Sequence, residues 1–322
     1  MNALAIESSV VIPVLDEEGN VRELYERLVR VLEATGSPFE IVFVDDGSRD
    51  QTFPLLRAIA SSDPRVKVVR FARNYGQEAA VQAGILRASG RFIVQMDGDL
   101  QNPPEELPKL LAMRDQGFEI VYGVRAKRKD PWHRVAASRA MVFVMSKILG
   151  IELPEDVTTF RVIDARVAKL IAGLPERKKF FSALAVWTGA RSATVQVAHA
   201  ARSAGATKYT LGKLINHTFD LMVGFSDRPL RIIGGVGVIV ALVGVAFGLF
   251  RVAQKLAGVD IAMGYTSLFA AIVILGGLQL MALSVIGEYI ARIFVQTQNR
   301  PLYVVAEEIG FDEGERGREA RA

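Results

Sequence analysis

The sequence contains no cysteine, and only three histidines occur among its 322 residues. Without cysteine the chain forms no disulfide framework, which fits a domain in a reducing compartment. The histidines His133, His199 and His217 lack the spacing of a metal-binding set, so we expect structural or surface roles for them. No basic stretch precedes the first apolar residues, and no signal peptide is predicted.

Charged residues are missing from two long stretches, Ile232 to Phe250 and Ile261 to Gly287. A helix of roughly 20 apolar residues crosses a bilayer, and both stretches meet that length. Two buried core helices are the alternative, but the glycines within both stretches favour membrane spans. The sequence therefore predicts a two-helix transmembrane hairpin within 231–294, with helices at about 231–253 and 262–288. Residues 295–322 are predicted to form a C-terminal tail, loose from Glu307 onward.

Basic residues flank this hairpin on both sides: Lys208, Lys213, Arg228, Arg231, Arg292 and Arg300. The positive-inside rule places both termini and the N-terminal domain in the cytoplasm, in an integral protein of the inner or plasma membrane. The net charge of +4 suits an anionic membrane surface, and no nucleic-acid footprint is seen. An apolar stripe in 206–230 predicts a juxtamembrane amphipathic helix, which lies in the interface or packs on the preceding domain. Glycine-rich spans also permit a homo-oligomer.

Short apolar strands alternate with amphipathic helices over residues 1–205. This alternation predicts an α/β fold with a Rossmann-like, doubly wound and mostly parallel sheet. Residues 157–164 are predicted to be irregular. In such sheets ligands bind beyond the carboxyl ends of the strands. We expect the polar residues at those ends to share one rim: Asp16, Glu17, Asp45, Asp46, Asp97, Asp99 and Arg125.

The turn Asp97-Gly98-Asp99 places two carboxylates two residues apart at a strand end. Such a pair can share one Mg2+ or Mn2+ ion, with Gln101 adding a neutral oxygen and substrate phosphates completing the coordination. A solvated turn is the alternative for this short motif. The second acidic turn, Asp45-Asp46, can accept hydrogen bonds from a nucleobase or ribose, or can form an Asx turn that begins a helix.

Several motifs together carry a family resemblance. They are Val11-Ile12-Pro13-Val14-Leu15-Asp16-Glu17-Glu18, Val44-Asp45-Asp46-Gly47-Ser48-Arg49-Asp50, Arg73-Asn74-Tyr75-Gly76, Met96-Asp97-Gly98-Asp99-Leu100-Gln101-Asn102-Pro103-Pro104, Thr159-Phe160-Arg161, 202–209 and 225–231. The sequence resembles family 2 glycosyltransferases of GT-A fold. Within that family it is most similar to polyisoprenyl-phosphate glycosyltransferases, such as dolichol-phosphate mannose synthase and the bacterial undecaprenyl-phosphate glucosyl and aminoarabinose transferases.

The resemblance implies a role for each matching residue. Nucleotide-sugar contacts fall on Pro13, Glu17, Asp45, Asp46 and Asp97. Metal ligands fall on Asp97, Asp99 and Gln101. Contacts to the lipid phosphate or the donor diphosphate fall on Arg125, Arg134, Ser138, Arg202 and Lys208. Of these, Asp99, Arg125 and Arg202 are expected to act in catalysis.

Two positions depart from the family pattern. Asp16 stands where the family usually has Asn, and Thr159 stands where many relatives have an Asp that is often proposed as the base. A lipid phosphate is ionised at neutral pH, so it needs cationic positioning rather than a base. The absence of an obvious base therefore favours a phosphate acceptor. Direct attack in one step implies inversion at the anomeric carbon. Asp156 is the reserve candidate for a base.

These features predict a membrane-bound inverting glycosyltransferase that moves a sugar from a UDP- or GDP-linked donor to a polyprenyl phosphate at the cytoplasmic face. A processive polysaccharide synthase is the first alternative, but its Q-x-x-R-W motif and multi-helix channel are missing from the sequence. A nucleotidyltransferase would not predict the segment from Arg202 to Lys208 or the hairpin. A non-catalytic membrane scaffold would not need the acidic rim.

Overall fold

A computed structural model of the chain describes residues 5–125, 157–176, 179, 181–198, 228–257 and 264–311. The described residues divide into two units. The first unit holds the residues up to 198 together with those from 300 to 311. The second unit holds residues 228–257 and 264–299. Residues 300–311 thus belong to the first unit although they follow the second unit in the sequence.

The first unit is built on an eight-stranded sheet, counted over the described residues. Its strands are β1 (Ser8–Val14), β2 (Phe39–Asp45), β3 (Val66–Phe71), β4 (Phe92–Gln95), β5 (Ile120–Arg125), β6 (Val157–Asp164), β7 (Ser192–Val197) and β8 (Val305–Ile309). The order across the sheet is β7-β5-β6-β4-β1-β2-β3-β8. Six strands run in one direction, and only β6 and β8 oppose them. The predicted doubly wound, mostly parallel sheet is confirmed.

Helices cover the central strands, which explains why short apolar strands alternate with amphipathic helices in the sequence. All seven residues of β1 and of β2 are buried, as expected of parallel strands packed on both faces. The helices of this unit are α1 (Val21–Ala34), α2 (Thr52–Ser62), α3 (Gln77–Arg87), α4 (Leu107–Arg114), α5 (Ala165–Gly173) and α6 (Phe181–Trp187). Helix α1 buries its apolar stripe in the core, namely Val21, Leu24, Leu28 and Leu32.

The prediction that residues 157–164 are irregular was wrong. These residues form β6, which lies antiparallel between β4 and β5. The strand was hidden because it carries a buried cation, Arg161, and two adjacent threonines instead of an apolar run. Its central position in the sheet nevertheless buries most of its side chains.

The prediction of a loose tail from Glu307 was also wrong for the described part of that segment. Residues 305–309 form β8, which pairs antiparallel with β3. The acidic residues of β8 are neutralised by helices of the first unit, since Arg57 Nη2 lies 2.6 Å from Glu307 and Arg87 Nε lies 2.6 Å from Glu308. Tyr303, just before β8, stacks on Phe71 with ring centroids 4.7 Å apart.

The second unit consists of two long helices, α7 (Arg228–Leu256) and α8 (Tyr265–Thr297). Each contains an apolar segment long enough to cross a bilayer, Leu230–Arg251 and Ala271–Thr297, with mean hydropathies of 2.6 and 1.9. Their apolar side chains are exposed, as in helices surrounded by lipid. These features agree with the predicted hairpin. Helix α8 continues past the predicted end at 288 to Thr297, and Glu288 and Arg292 form an ion pair along this added part at 3.0 Å.

Candidate functional site

Three neighbouring parallel strands deliver the predicted acidic residues to one rim of the sheet. Strands β4, β1 and β2 are adjacent and run in the same direction, so their carboxyl ends meet. Asp16 and Glu17 follow β1, Asp45 and Asp46 lie at the end of β2, and the Asp97-Gly98-Asp99 turn follows β4. The expectation of a common acidic rim is therefore confirmed.

Reciprocal hydrogen bonds join the loop after β1 to the loop after β2. Asp16 Oδ1 accepts from the Arg49 backbone N–H at 2.8 Å, and Asp16 N–H donates to Ser48 Oγ at 3.0 Å. The backbone φ of Asp16 is +53°, a left-handed conformation that Asp and Asn tolerate better than other residues with side chains. The departure from Asn therefore keeps both the conformation and the acceptor oxygen.

Glu17 and Pro13 lie beside these two loops. Glu17 Oε2 accepts from the Asn20 side-chain amide at 2.6 Å, at the beginning of α1. Pro13 is buried within β1 and lies opposite Val44 of β2. Its carbonyl oxygen is one of the atoms that a side chain at Gly98 would meet, together with Val14. Pro13 thus shapes the floor under the Asp97-Gly98-Asp99 turn, and its contact with the nucleotide stays a prediction.

Asp45 is a fully buried carboxylate, and only one of its two oxygens accepts a hydrogen bond among the described residues. Its Oδ1 accepts from the Ser48 backbone N–H at 3.0 Å. Within the described part of the chain, its Oδ2 has no hydrogen-bond partner, and the nearest cation is Arg70 Nε at 3.5 Å. Burial raises the pKa of Asp45 above its ordinary value, and the hydrogen bonds from Ser48 oppose that shift. A buried acceptor oxygen of this kind suits an N–H donor on a ligand.

Asp46 makes a different set of bonds from its neighbour. Its two carboxylate oxygens accept from the backbone N–H groups of Tyr75 and Gly76, at 2.6 and 2.9 Å. The loop before α3 is thereby fixed to the end of β2. Gly47 fits this junction because its φ is +78° and a side chain there would lie 2.6 Å from the Arg73 backbone. The predicted contact of Asp46 with the nucleotide is not tested by these bonds.

Asp97 is half-buried, and each of its carboxylate oxygens accepts one hydrogen bond. Gln77 Nε2 donates to Oδ1 at 2.7 Å, and Thr159 Oγ donates to Oδ2. Burial raises the pKa of Asp97, and the neighbouring charge of Asp99 adds to the rise, whereas the Thr159 hydrogen bond lowers it. A carboxylate whose pKa is raised by a neighbouring carboxylate lies in a site that a cation would stabilise.

Asp99 completes the turn with Gln101. Gln101 donates to the Asp99 carboxylate through its backbone N–H at 3.1 Å and its side-chain amide at 2.6 Å. Leu100, between them, has a φ of +58°, which brings the two side chains to the same side of the turn. The Gln101 amide oxygen is of a type that hard cations bind, and its role as a metal ligand stays a prediction.

The donor set fits Mg2+ or Mn2+ held jointly with substrate. Among the described residues no cluster of three or more His, Cys, Asp or Glu side chains is positioned to hold an ion. Two carboxylates and one amide match a cation that keeps open positions for phosphate oxygens, rather than one enclosed by protein.

Arg161 and Glu78 are site neighbours to which sequence reasoning gave no role. Arg161 is buried in β6, donates twice to Gln95 Oε1 at 2.8 and 2.6 Å, and lies 4.1 Å from the Phe181 ring centre. Burial raises the pKa of Glu78, whereas the charge of Arg161 lowers it. Arg161 appeared in a quoted motif, but its burial depends on β6 being a strand.

Of the residues predicted to bind phosphate, only Arg125 lies among the described residues. Arg125 is the exposed last residue of β5, whose carboxyl end shares the direction of the acidic rim. The other predicted residues lie outside the described residues: Arg134, Ser138, Asp156, Arg202 and Lys208. The amphipathic segment predicted for 206–230 lies outside them as well, apart from its last three residues, which begin α7.

Comparisons with known proteins agree with this geometry. The profile of glycosyl transferase family 2 matches residues 9–170, and that of the GtrB C-terminal hairpin matches residues 228–293. An uncharacterised glycosyltransferase of Synechocystis, sll0501, is 36% identical over 311 residues, which is 96% of this chain and 98% of the relative. The undecaprenyl-phosphate 4-deoxy-4-formamido-L-arabinose transferase of Edwardsiella ictaluri is 37% identical over 300 residues, or 92% of each chain.

A solved structure supports the fold. Glucosyl-3-phosphoglycerate synthase of Mycobacterium tuberculosis, crystallised with Mn2+, UDP and phosphoglyceric acid, matches 68% of this chain and 77% of its own. The TM-score is 0.50 at 19% identity. The chain therefore belongs to glycosyl transferase family 2, as a membrane-associated glycosyltransferase with a GT-A domain and a C-terminal two-helix hairpin.

Proposed function

We propose that this glycosyltransferase moves a sugar from a UDP- or GDP-linked donor to a polyprenyl phosphate, of the undecaprenyl or dolichyl class, at the cytoplasmic face of the membrane. The observation that carries the proposal is the Asp97 and Asp99 pair, two carboxylates on the ligand-binding rim that form no ion pair among the described residues and are held by neutral donors. Membership of the family is inconsistent with the nucleotidyltransferase and scaffold alternatives.

The donor nucleotide binds along the rim between β2 and β4. The Oδ2 of Asp45, which has no hydrogen-bond partner among the described residues, accepts an N–H from the base, and Glu17 and Pro13 line the same edge. Asp46 contributes through the loop that it holds, since both of its oxygens are bonded to that loop. Base and sugar preference follow from this edge.

Asp97, Asp99 and Gln101 would hold Mg2+ or Mn2+ beside the donor diphosphate. When bound, the ion supplies positive charge that stabilises the departing nucleotide diphosphate. The protein itself contributes a fixed carboxylate pair and a buried cation, Arg161, behind it. Preorganised groups of this kind need no rearrangement during the reaction.

The acceptor is a phosphate, which needs no general base because it is ionised at neutral pH. Its oxygen bonds to the anomeric carbon while the bond from that carbon to the donor diphosphate breaks, which inverts the configuration. Thr159 takes no proton, because its hydroxyl donates to Asp97. Arg125, Arg134, Ser138, Arg202 and Lys208 bind the two phosphate groups in this proposal, and Asp156 is the reserve base. The Edwardsiella relative is named for an undecaprenyl-phosphate acceptor.

The test is an incubation of membranes containing the chain with a panel of UDP- and GDP-sugars and undecaprenyl phosphate, read by mass spectrometry. The expected product is the lipid phosphate carrying one sugar. Undecaprenol, which lacks the phosphate, should give no product. The Asp99→Asn variant is the matched inactive control. Polymeric products would favour a processive synthase, and no product with any donor would contradict the proposal.

A further inference from the structure

We propose that Gln77 and Thr159 act together as positioning residues for Asp97. The two side chains, here called the Asp97 clamp, come from α3 and β6 and occupy one lone pair on each carboxylate oxygen. This inference rests on the proposed function, because it deepens the metal site that the function requires.

The clamp orients Asp97 without neutralising it. A carboxylate offers about four lone-pair sites, and the clamp uses two of them. Both donors are uncharged, so the full negative charge of Asp97 remains available to a cation. A Lys or Arg in either place would fix the carboxylate equally well but would oppose a bound cation. Fixing a ligand side chain through its second hydrogen bond is a general means of tuning metal affinity.

Sheet register fixes one arm of the clamp. Gln95 of β4 lies opposite Arg161 of β6 in the antiparallel pair. Asp97 lies two residues past the end of β4, and Thr159 lies two residues before Arg161 in β6, so continuing the same register sets Asp97 opposite Thr159. Thr158, next to it, points elsewhere and donates to the Gly123 carbonyl at 2.9 Å. The β-branched Thr159 side chain is also stiff in a strand, so its hydroxyl stays aimed at Asp97.

Asp46 fixes the other arm. Gln77 is the first residue of α3 and directly follows the Tyr75-Gly76 segment whose N–H groups Asp46 holds. Gly76 has a φ of +99°, which permits the sharp entry into the helix. A chain of contacts thus runs from Asp46 through this loop to Gln77 and then to Asp97. This chain gives Asp46 a function that does not require contact with the nucleotide.

The first experiment measures Mn2+ binding by electron paramagnetic resonance in the presence of UDP and, separately, of GDP. Thr159→Val keeps the shape of the side chain and removes the hydroxyl, and Thr159→Ser keeps the hydroxyl. We expect Mn2+ affinity to fall about 10-fold in Thr159→Val, as for other lost partners of metal ligands. We expect Thr159→Ser to remain within about 3-fold of the wild type, since its hydroxyl still reaches Asp97. Gln77→Ala should weaken binding in the same direction.

Enzyme kinetics provide the second readout. Loss of the clamp should raise the Mn2+ concentration for half-maximal rate more than it lowers kcat at saturating Mn2+. Thermal unfolding without metal should be unchanged in both Thr159 variants, which separates positioning from folding. Equal Mn2+ affinity in Thr159→Val and wild type, equal losses in Val and Ser, or no Mn2+ binding by the wild type would each overturn the proposal.

The two proposals fail in different ways. If no donor and acceptor give product, but Mn2+ binding still depends on the Thr159 hydroxyl, the clamp stands and the proposed reaction is wrong. If product forms but Thr159→Val binds Mn2+ normally, the reaction stands and the clamp is wrong.

Discussion

The two ends of the central sheet both bury acids, but among the described residues only the amino end joins an acid to a buried cation in a direct ion pair. At the amino end, Glu40 accepts from Ser9 Oγ at 2.5 Å, and its other oxygen lies 3.1 Å from Lys67 Nζ. At the carboxyl end, Asp97 and Asp99 have no ion-pair partner among the described residues and are held by neutral donors. An acid that forms an ion pair within the fold contributes to stability, whereas an acid whose charge is not paired is suited to binding a cationic ligand.

The largest effect should follow from removing charge at the carboxyl end. Asp99→Asn should lower the rate of sugar transfer on the order of 10³-fold, because the site loses half of its carboxylate charge. The midpoint of thermal unfolding should not fall, since no native ion pair is broken. Initial rates and a thermal melt of the same preparation test both parts. If Asp99→Asn keeps its activity, the contrast between the two ends of the sheet is wrong.

Removing charge at the amino end should have the opposite outcome. Lys67→Met leaves Glu40 buried without its cation and should lower the free energy of unfolding by about 3–5 kcal/mol. The folded fraction should bind nucleotide as the wild type does. Denaturant titration measures the first effect and nucleotide affinity the second. The double variant Glu40→Gln with Lys67→Met is the control, and it should recover most of the loss. No recovery would mean that Lys67 stabilises through packing alone.

Strand β8 takes part in two ion pairs, one buried and one largely exposed, which can be compared directly. Arg87 is almost fully buried and contacts Glu308 and the Tyr303 hydroxyl, so Arg87→Ala should cost about 3 kcal/mol. Arg57 is half-exposed and contacts Glu307, so Arg57→Ala should cost less than about 1 kcal/mol. Denaturant titrations of both variants give the comparison directly. Equal costs would show that β8 is held by backbone pairing rather than by its buried ion pair.

The smallest expected effect is the change in stability with pH that Asp45 causes. Because burial raises the folded-state pKa of Asp45, its stabilising contribution is complete below the unfolded pKa and is lost as pH rises through the folded pKa. Without nucleotide, Asp45→Asn should therefore match the wild type near pH 4 and exceed it in stability at pH 7. Thermal melts across this range measure the difference. A wild type that gains stability over Asp45→Asn as pH rises would contradict the sign.

Sequence patterns predicted the parts of the fold that depend on local features. Strands β1 and β2 each contain an unbroken apolar run, Val10–Val14 and Ile41–Val44, and each run is followed by the acids that line the site. Strand β6 was missed because buried Arg161 breaks its apolar pattern, and its burial depends on Gln95 of another strand. Strand β8 was missed because its charges suggested solvent. Their partners, Arg57 and Arg87, lie 250 and 221 residues away in sequence.

For the candidate site, too, only the features that depend on local sequence could be predicted. Asp45, Asp97 and Asp99 were predicted because acids at the ends of parallel strands must meet. The bonds made by those acids were not predictable. Thr159 looked like the loss of a catalytic group, and only the strand register places its hydroxyl on Asp97. Asp46 looked equivalent to Asp45, yet the loop at Tyr75 and Gly76 occupies both of its oxygens.

Strand β8 has a consequence for how the protein is made. It follows both apolar helices in the sequence, so the pairing of β8 with β3 can form only once the hairpin has been synthesised. Until then the outer edge of β3, from Val66 to Phe71, lacks its partner and is open to pairing with another chain. A truncated protein that stops before residue 228 would keep this open edge. A soluble form of the GT-A domain therefore needs residues 300–311 joined back to it.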